Sequence, residues 1–166
     1  MSSGKLRALY FGIAAAVIAA DRFTKIMVAK RIELDFGSVT LIPRFFSLTH
    51  VENTGAAFSM FADWPAWVRV PLLVAFSTAA MILVSVLLWR MGKKFSRLGL
   101  ALSFILGGAV GNLYDRARFG RVTDFLHVYV GTHTWPDFNL ADSAIVCGAC
   151  LLVLDLFLSE KQERAQ

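Results

Sequence analysis

Residues 70–89, VPLLVAFSTAAMILVSVLLW, contain no charged side chain. At about 1.5 Å of rise per residue such a run makes a helix of about 30 Å, the thickness of a bilayer's hydrocarbon core. A helix that is apolar on every side belongs in lipid or deep inside a large protein. With 166 residues the chain makes one domain of ordinary size, so the run points to a membrane. Trp64 and Trp67 ahead of it and Trp89 at its end have the character of interfacial anchors.

Three further apolar runs accompany it. The first covers residues 8–20 and is extended by DRFTKIMVA to about residue 29. The third covers residues 98–114, and the fourth residues 141–158, with Asp155 near its end. The expected fold is an all-α integral membrane protein, a single membrane domain over residues 1–166. Its four transmembrane helices fall at about 8–29, 68–89, 98–114 and 141–158, and its longer connections at about 30–67 and 115–140. SVTLIPRFFSLTHVENTGAAFSMF, within the first connection, is rich in β-branched and aromatic residues and reads as a few short strands. The amino-terminal run has the look of a signal peptide, but cleavage after Ala20 would put Ile18 where a small residue is required. An uncleaved first span is expected.

Composition agrees with a membrane and excludes other classes. The chain is 57% hydrophobic, with a mean hydropathy of +0.60. Its net charge of +5 comes from short basic groups scattered between apolar runs, without the stripe or motif of a nucleic-acid binder. Cys147 and Cys150, in CGAC, lack the further ligands that zinc needs, and are read as small residues packing a membrane helix. No metal and no cofactor are expected.

An even number of spans leaves both termini on one side. The short turn RMGKKFSR joins the second and third runs and concentrates Arg90, Lys93, Lys94 and Arg97. Lys5 and Arg7 lie on the same side, which the positive-inside rule makes cytoplasmic. Both long connections then face outward.

In that topology the polar residues gather at one surface. Asp21 and Lys25 are four apart, and Asn112, Asp115 and Arg116 share a face of the third run. Asn139 and Asp142 open the fourth, while Asn53 and Asp124 belong to the outer connections. Asp21 with Lys25 and Asp115 with Arg116 are explicable as structural pairs, and Arg118 and Arg121 as side chains reaching for headgroups. Asp155, roughly at the cytoplasmic boundary, is read as structural. Asp124 and Asp142 have no basic residue at helical spacing that would obviously neutralise them. Ionisable groups at membrane depth usually mark a site. Two facing carboxylates share a proton, so one can activate water while the other protonates a carbonyl oxygen. The alternative from another class is a small proton- or ion-coupled transporter. Such proteins keep their acid near the midplane and are built from repeats, and this chain has no repeat.

DRFTK (residues 21–25), VENTGAAFS (51–59), GNLYDR (111–116), VTDF (122–125) and FNLADS (138–143) resemble, in order, the signature blocks of the lipoprotein signal peptidase (signal peptidase II) family. The blocks span nearly the whole chain. The resemblance implies a bacterial inner-membrane aspartyl endopeptidase of four helices with a small extracytoplasmic β-element. It would cut prolipoproteins just before a diacylglyceryl-modified cysteine. The implied catalytic pair is Asp124 and Asp142. The implied supporting positions are Asp21, Lys25, Asn53, Gly55, Asn112, Asp115, Arg116 and Asn139. The implied partners are lipidated prolipoprotein and membrane lipid, with no nucleic acid, and the protein is expected to be a monomer. The segment 52–61 is expected to close over the substrate.

Overall fold

The structure, a computed structural model, describes residues 2–56, 60–91, 94–131 and 133–163. Gly92 and Lys93 of the basic turn, and residues 57–59 of the VENTGAAFS block, lie outside the described residues. The expected closure of segment 52–61 therefore falls partly outside them.

The helices are α1 (Ser3–Arg31), α2 (Ala66–Arg90), α3 (Arg97–Phe119) and α4 (Leu140–Glu163). Each boundary has a local cause. Ser2 and Ser96 accept from Lys5 N and Gly99 N at the starts of α1 and α3. Lys30 and Arg31 sit in the last turn of α1, where cations suit the helix dipole. Gly120 ends α3 in the left-handed conformation at φ 70°, with its N–H bonded to Arg116 O. The helix thus runs beyond the apolar stretch 98–114 and carries Asp115, Arg116 and Arg118 on its final turns.

Among the described residues three helices, Ala66–Arg90, Arg97–Phe119 and Leu140–Ser159, are long and apolar enough to cross a membrane. With 29 residues α1 is long enough, but Asp21, Arg22 and Lys25 dilute its apolar character, so composition alone supports three spans rather than four.

α3 is the hub of the bundle and packs on α1, α2 and α4. At one end Leu6, Tyr10, Ala14, Leu88, Leu102 and Leu106 form a closed apolar cluster. Glycines let the helices meet. A Cβ at Gly107 would lie 2.6 Å from Val17 Cβ, and one at Gly108 would lie 2.3 Å from Ala141 O. The small-xxx-small spacings Gly107 with Gly111, Ala15 with Ala19 and Ala16 with Ala20 are expected to be bundle contacts. The two glycines are, as is Gly148 of CGAC, which packs on Ala101 and Ile105. The four alanines are instead exposed, because they fall on the outer faces of α1. The thiols of Cys147 and Cys150 do not pack. Both are free and exposed, because the residues one before and two after the buried Gly148 are turned away from its face at about 100° per residue. Asp155 pairs with Arg97 at 2.9 Å, tying α4 to the start of α3.

Beyond the other end of the bundle lies an antiparallel sheet in the order β1-β2-β3-β4. Its strands are β1 (Ser38–Ile42), β2 (Phe46–Asn53), β3 (Val122–Val130) and β4 (His133–Thr134). The strands expected in the first connection are β1 and β2. The second connection supplies the other two, which no expectation covered, although VTDFLHVYV is as β-branched and aromatic as β2. Val28 of α1 and Ile32 just after it pack on Phe125 and fasten the sheet to the bundle.

Candidate active site

Asp124 lies on β3 opposite Val51 of β2, next to an irregularity in register between Leu48 and Val51. The chain then returns across its own strand: Phe125 N and Leu126 N donate to Phe138 O, and Phe138 N donates to Leu126 O. This return delivers Asn139 beside Asp124.

Asn139 is the N-cap of α4 and Asp142 its third residue. Asp142 N donates to Asn139 Oδ1 at 2.9 Å, and Asn139 N donates to Asp142 Oδ2 at 3.1 Å. This is the reciprocal arrangement of a capping box, with Asn and Asp in place of Ser and Glu. Asn139 Nδ2 meanwhile donates to Asp124 Oδ1 at 2.7 Å and to Asn112 Oδ1 at 3.2 Å. One fully buried amide therefore touches both aspartates.

The remaining oxygens of the pair are held by other amides. Asn53 Nδ2 donates to Asp124 Oδ2 at 3.0 Å, and Asn112 Nδ2 to Asp142 Oδ1 at 2.7 Å. Asn53 Oδ1 accepts from Gly55 N at 2.9 Å, and Gly55 O accepts from Arg116 Nη2 at 2.9 Å. Beneath them Lys25 Nζ meets Asp115 Oδ2 at 2.7 Å, Asp21 Oδ2 at 2.9 Å and Asn112 Oδ1 at 3.0 Å. Asp21 Oδ1 accepts from Ala141 N at 3.1 Å in the first turn of α4. Every site position expected from the sequence thus belongs to one connected network.

Two pairings differ from expectation. Asp115 does not pair with Arg116: its ionic partners are Lys25 and Arg22. Consecutive helix residues diverge by about 100°, so they do not face each other, and Arg116 turns instead to the Gly55 carbonyl. Arg121 does not simply reach for headgroups, because it pairs with Glu52 at 2.5 Å across the sheet. Arg118 lies over the Phe119 ring. Sequence reasoning missed Arg22, although its place one residue after Asp21 in DRFTK offered a signal. It also missed the contact of His127 with Asp137 at 2.5 Å, for which no spacing rule exists.

The electrostatics are uneven. Asp21, Asp115, Asp124 and Asp142 face Arg22, Lys25 and Arg116, which leaves one carboxylate without a counter-charge. Asp124 carries that imbalance. Burial first, and the charge of Asp142 second, push its pKa up to about 7, against the donors Asn53 and Asn139 and the charge of Lys25. Asp142 is only partly buried. Asp124 opens onto a pocket of about 270 Å³ walled by residues 51–54, Ala62, Pro136 and Asp137.

Apolar helices that carry a buried, charge-rich network at one end, under a small sheet, define an integral membrane enzyme. Two solved bacterial membrane enzymes share this fold. One superposes with a TM-score of 0.83 at 24% identity, covering 93% of this chain and 91% of that one. The other has a TM-score of 0.78 at 26% identity, covering 90% and 92%. The family described as signal peptidase (SPase) II matches residues 13–158. A lipoprotein signal peptidase of Solibacter usitatus is 43% identical over 157 residues, 95% of each chain. That of Brevibacillus brevis is 44% identical over 155 residues, 93% of this chain and 99% of its own. That of Paraburkholderia phymatum is 46% identical over 155 residues, 92% and 90%. The chain belongs to the signal peptidase II family.

Proposed function

We propose that this protein removes signal peptides from diacylglyceryl-modified prolipoproteins, cutting before the lipidated cysteine with water activated between Asp124 and Asp142. Family membership makes it an aspartic endopeptidase that processes lipoproteins. The observation that carries the assignment of the dyad is Asn139, whose one side chain bonds to Asp124 and caps the helix that presents Asp142.

Asp124, with its raised pKa, holds the shared proton near neutrality. Asp142 takes a proton from water as the oxygen attacks the scissile carbonyl, while Asp124 donates its proton to the carbonyl oxygen. Collapse of the tetrahedral intermediate expels the amine, which takes the proton gained by Asp142. The hydroxyl proton of the intermediate returns to Asp124, and the pair is restored. Asn53, Asn112 and Asn139 hold the carboxylates in place, and Lys25, Asp21, Asp115 and Arg22 brace the helices beneath them. Arg116 steadies the turn at Gly55.

We read α1 as a fourth span, within a single membrane domain. Asp21 and Lys25 are 0% and 2% exposed, whereas Phe23 and Ile26 are 65% and 43% exposed. Its charges thus turn inward and its outer surface is more apolar than its average. Four spans, with Arg90, Lys94 and Arg97 at the short turn, support cytoplasmic termini and an outward-facing sheet and dyad in a bacterial inner membrane. A substrate helix would then present its cleavage site at the depth of the aspartates. We take the working unit to be the monomer, since the network is complete within one chain. The transporter alternative has no support: the acids gather at one end, and the family is one of peptidases.

The test uses protein purified in detergent with a diacylglyceryl-modified prolipoprotein, beside an Asp142→Asn control. Conversion to the mature size by wild type alone is expected. Cleavage by both would move the acid elsewhere, and no cleavage by folded wild type would end the assignment.

A further inference from the structure

One buried cation in the outer part of the molecule takes no part in the network around the aspartates. Arg69, on the first turn of α2, is 8% exposed. Its chain folds back past the helix start, so that Nη1 donates to Ala62 O at 2.5 Å and to Trp64 O at 3.2 Å. Its Nε is buried without a partner. A cation at a helix N-terminus opposes the helix dipole, and a buried guanidinium is costly. That cost is accepted here for two carbonyls of the preceding turn.

The turn itself needs holding. Phe61 has φ 65°, a left-handed conformation that residues other than glycine rarely adopt. It is fixed by Trp64 N donating to Phe61 O at 3.0 Å and by the edge-on contact of the Phe61 and Trp64 rings at 5.0 Å. Ala62, whose carbonyl Arg69 holds, lines the pocket onto which Asp124 opens. Gly55, before this segment, is held by Arg116 in the same way, through a carbonyl.

We propose that Arg69 is a positioning residue for the substrate: by anchoring Ala62 and Trp64 it fixes the pocket wall beside Asp124 and so sets substrate affinity. It touches neither aspartate, so it acts on binding and leaves proton transfer alone. This rests on the peptidase reading, and it is tested by one measurement that depends on cleavage and one that does not.

Arg69→Met and Arg69→Lys are compared with wild type in detergent. Arg69→Met is expected to raise KM about tenfold, the scale of one lost charge-assisted hydrogen bond. Its kcat should stay within about twofold and its pH profile should not move. Arg69→Lys, which restores one donor, is expected to fall between. An unchanged KM, or a fall in kcat alone, overturns the role in binding. Hydrogen exchange at the Trp64 amide is expected to speed up in Arg69→Met while α3 amides keep their protection. Unchanged exchange at Trp64 refutes the anchor itself, and equal acceleration in α3 shows general loosening and refutes it too. If wild type does not cleave, the peptidase reading fails, and the exchange result still decides whether Arg69 anchors the turn.

Discussion

Asn53 and Asp124 give the most direct control over the proposed chemistry. Asn53 donates to an oxygen of Asp124, which favours the ionised form. It therefore works against burial and Asp142, which hold the pKa at about 7. Cleavage needs Asp124 protonated, so the rate should fall tenfold per unit above about pH 7. Removing the donor in Asn53→Ala should move that alkaline limb up by about one unit, the scale of one charge-assisted hydrogen bond. A limb that stays or moves down in rate measurements from pH 5 to 9 would contradict this. The same shift has a stability consequence of definite sign. The folded pKa is above the ordinary 3.8, so below about pH 4 both states hold the proton and nothing is lost. As pH rises towards 7 the unfolded chain releases its proton first, and the fold loses about 2–4 kcal/mol through this group. Asp124→Asn has no such loss. Its thermal midpoint relative to wild type should be more favourable at pH 8 than at pH 4, and an equal difference at both would contradict the raised pKa. Arg118, exposed above Phe119, should tolerate Arg118→Gln with less than about twofold loss of activity.

The elements differ in how openly the chain declares them. The helices were legible because lipid demands long apolar runs and caps such as Ser96 and Gly120 follow simple rules. The candidate site residues were legible because charges and amides stand out against such a background, and the family blocks supplied their proposed roles. The pairings were not. Whether Asp115 meets Arg116, Lys25 or Arg22 depends on how α1 and α3 are rotated against each other, and no intrahelical spacing contains that. β3 and its return at Phe138 were missed because a segment counted as connection received no strand reading. The glycine contacts were half legible: Gly107 and Gly111 stood in a small-xxx-small pattern, whereas Gly108 sits against the start of α4. A methyl group there would meet Ala141 O at 2.3 Å, a backbone atom one residue before Asp142. Gly108→Ala should push α4 off α3, cost about 1–3 kcal/mol and reduce cleavage by an order of magnitude or more. Gly12 has nothing within 4 Å of an added Cβ. Gly12→Ala should be neutral or stabilise by up to about 1 kcal/mol. Equal midpoints and activities in the two variants would refute a packing role for Gly108.

At the scale of the whole molecule, the open question is how the bundle sits in the bilayer, and α1 decides it. Three helices qualify as spans by composition, which would leave the amino terminus on the same side as the sheet. The inward turn of Asp21 and Lys25, saturated by Asp115 and Asn112, removes the reason to keep α1 out of lipid. At about 1.5 Å per residue its 29 residues exceed the hydrocarbon thickness. A fourth span puts Gly4 and Lys94 on one side, and Arg44, between β1 and β2, on the other. Single cysteines at these positions, with Cys147 and Cys150 replaced by alanine, read this out in intact spheroplasts with a thiol reagent that cannot cross membranes. Arg44→Cys should label at once, and Gly4→Cys and Lys94→Cys only after permeabilisation. Immediate labelling of Gly4→Cys would mean three spans, with α1 lying against the bundle from outside. Immediate labelling of Lys94→Cys with Arg44→Cys protected would invert the protein. The proposed dyad would then face the cytoplasm, on the wrong side for a substrate cut at the outer surface.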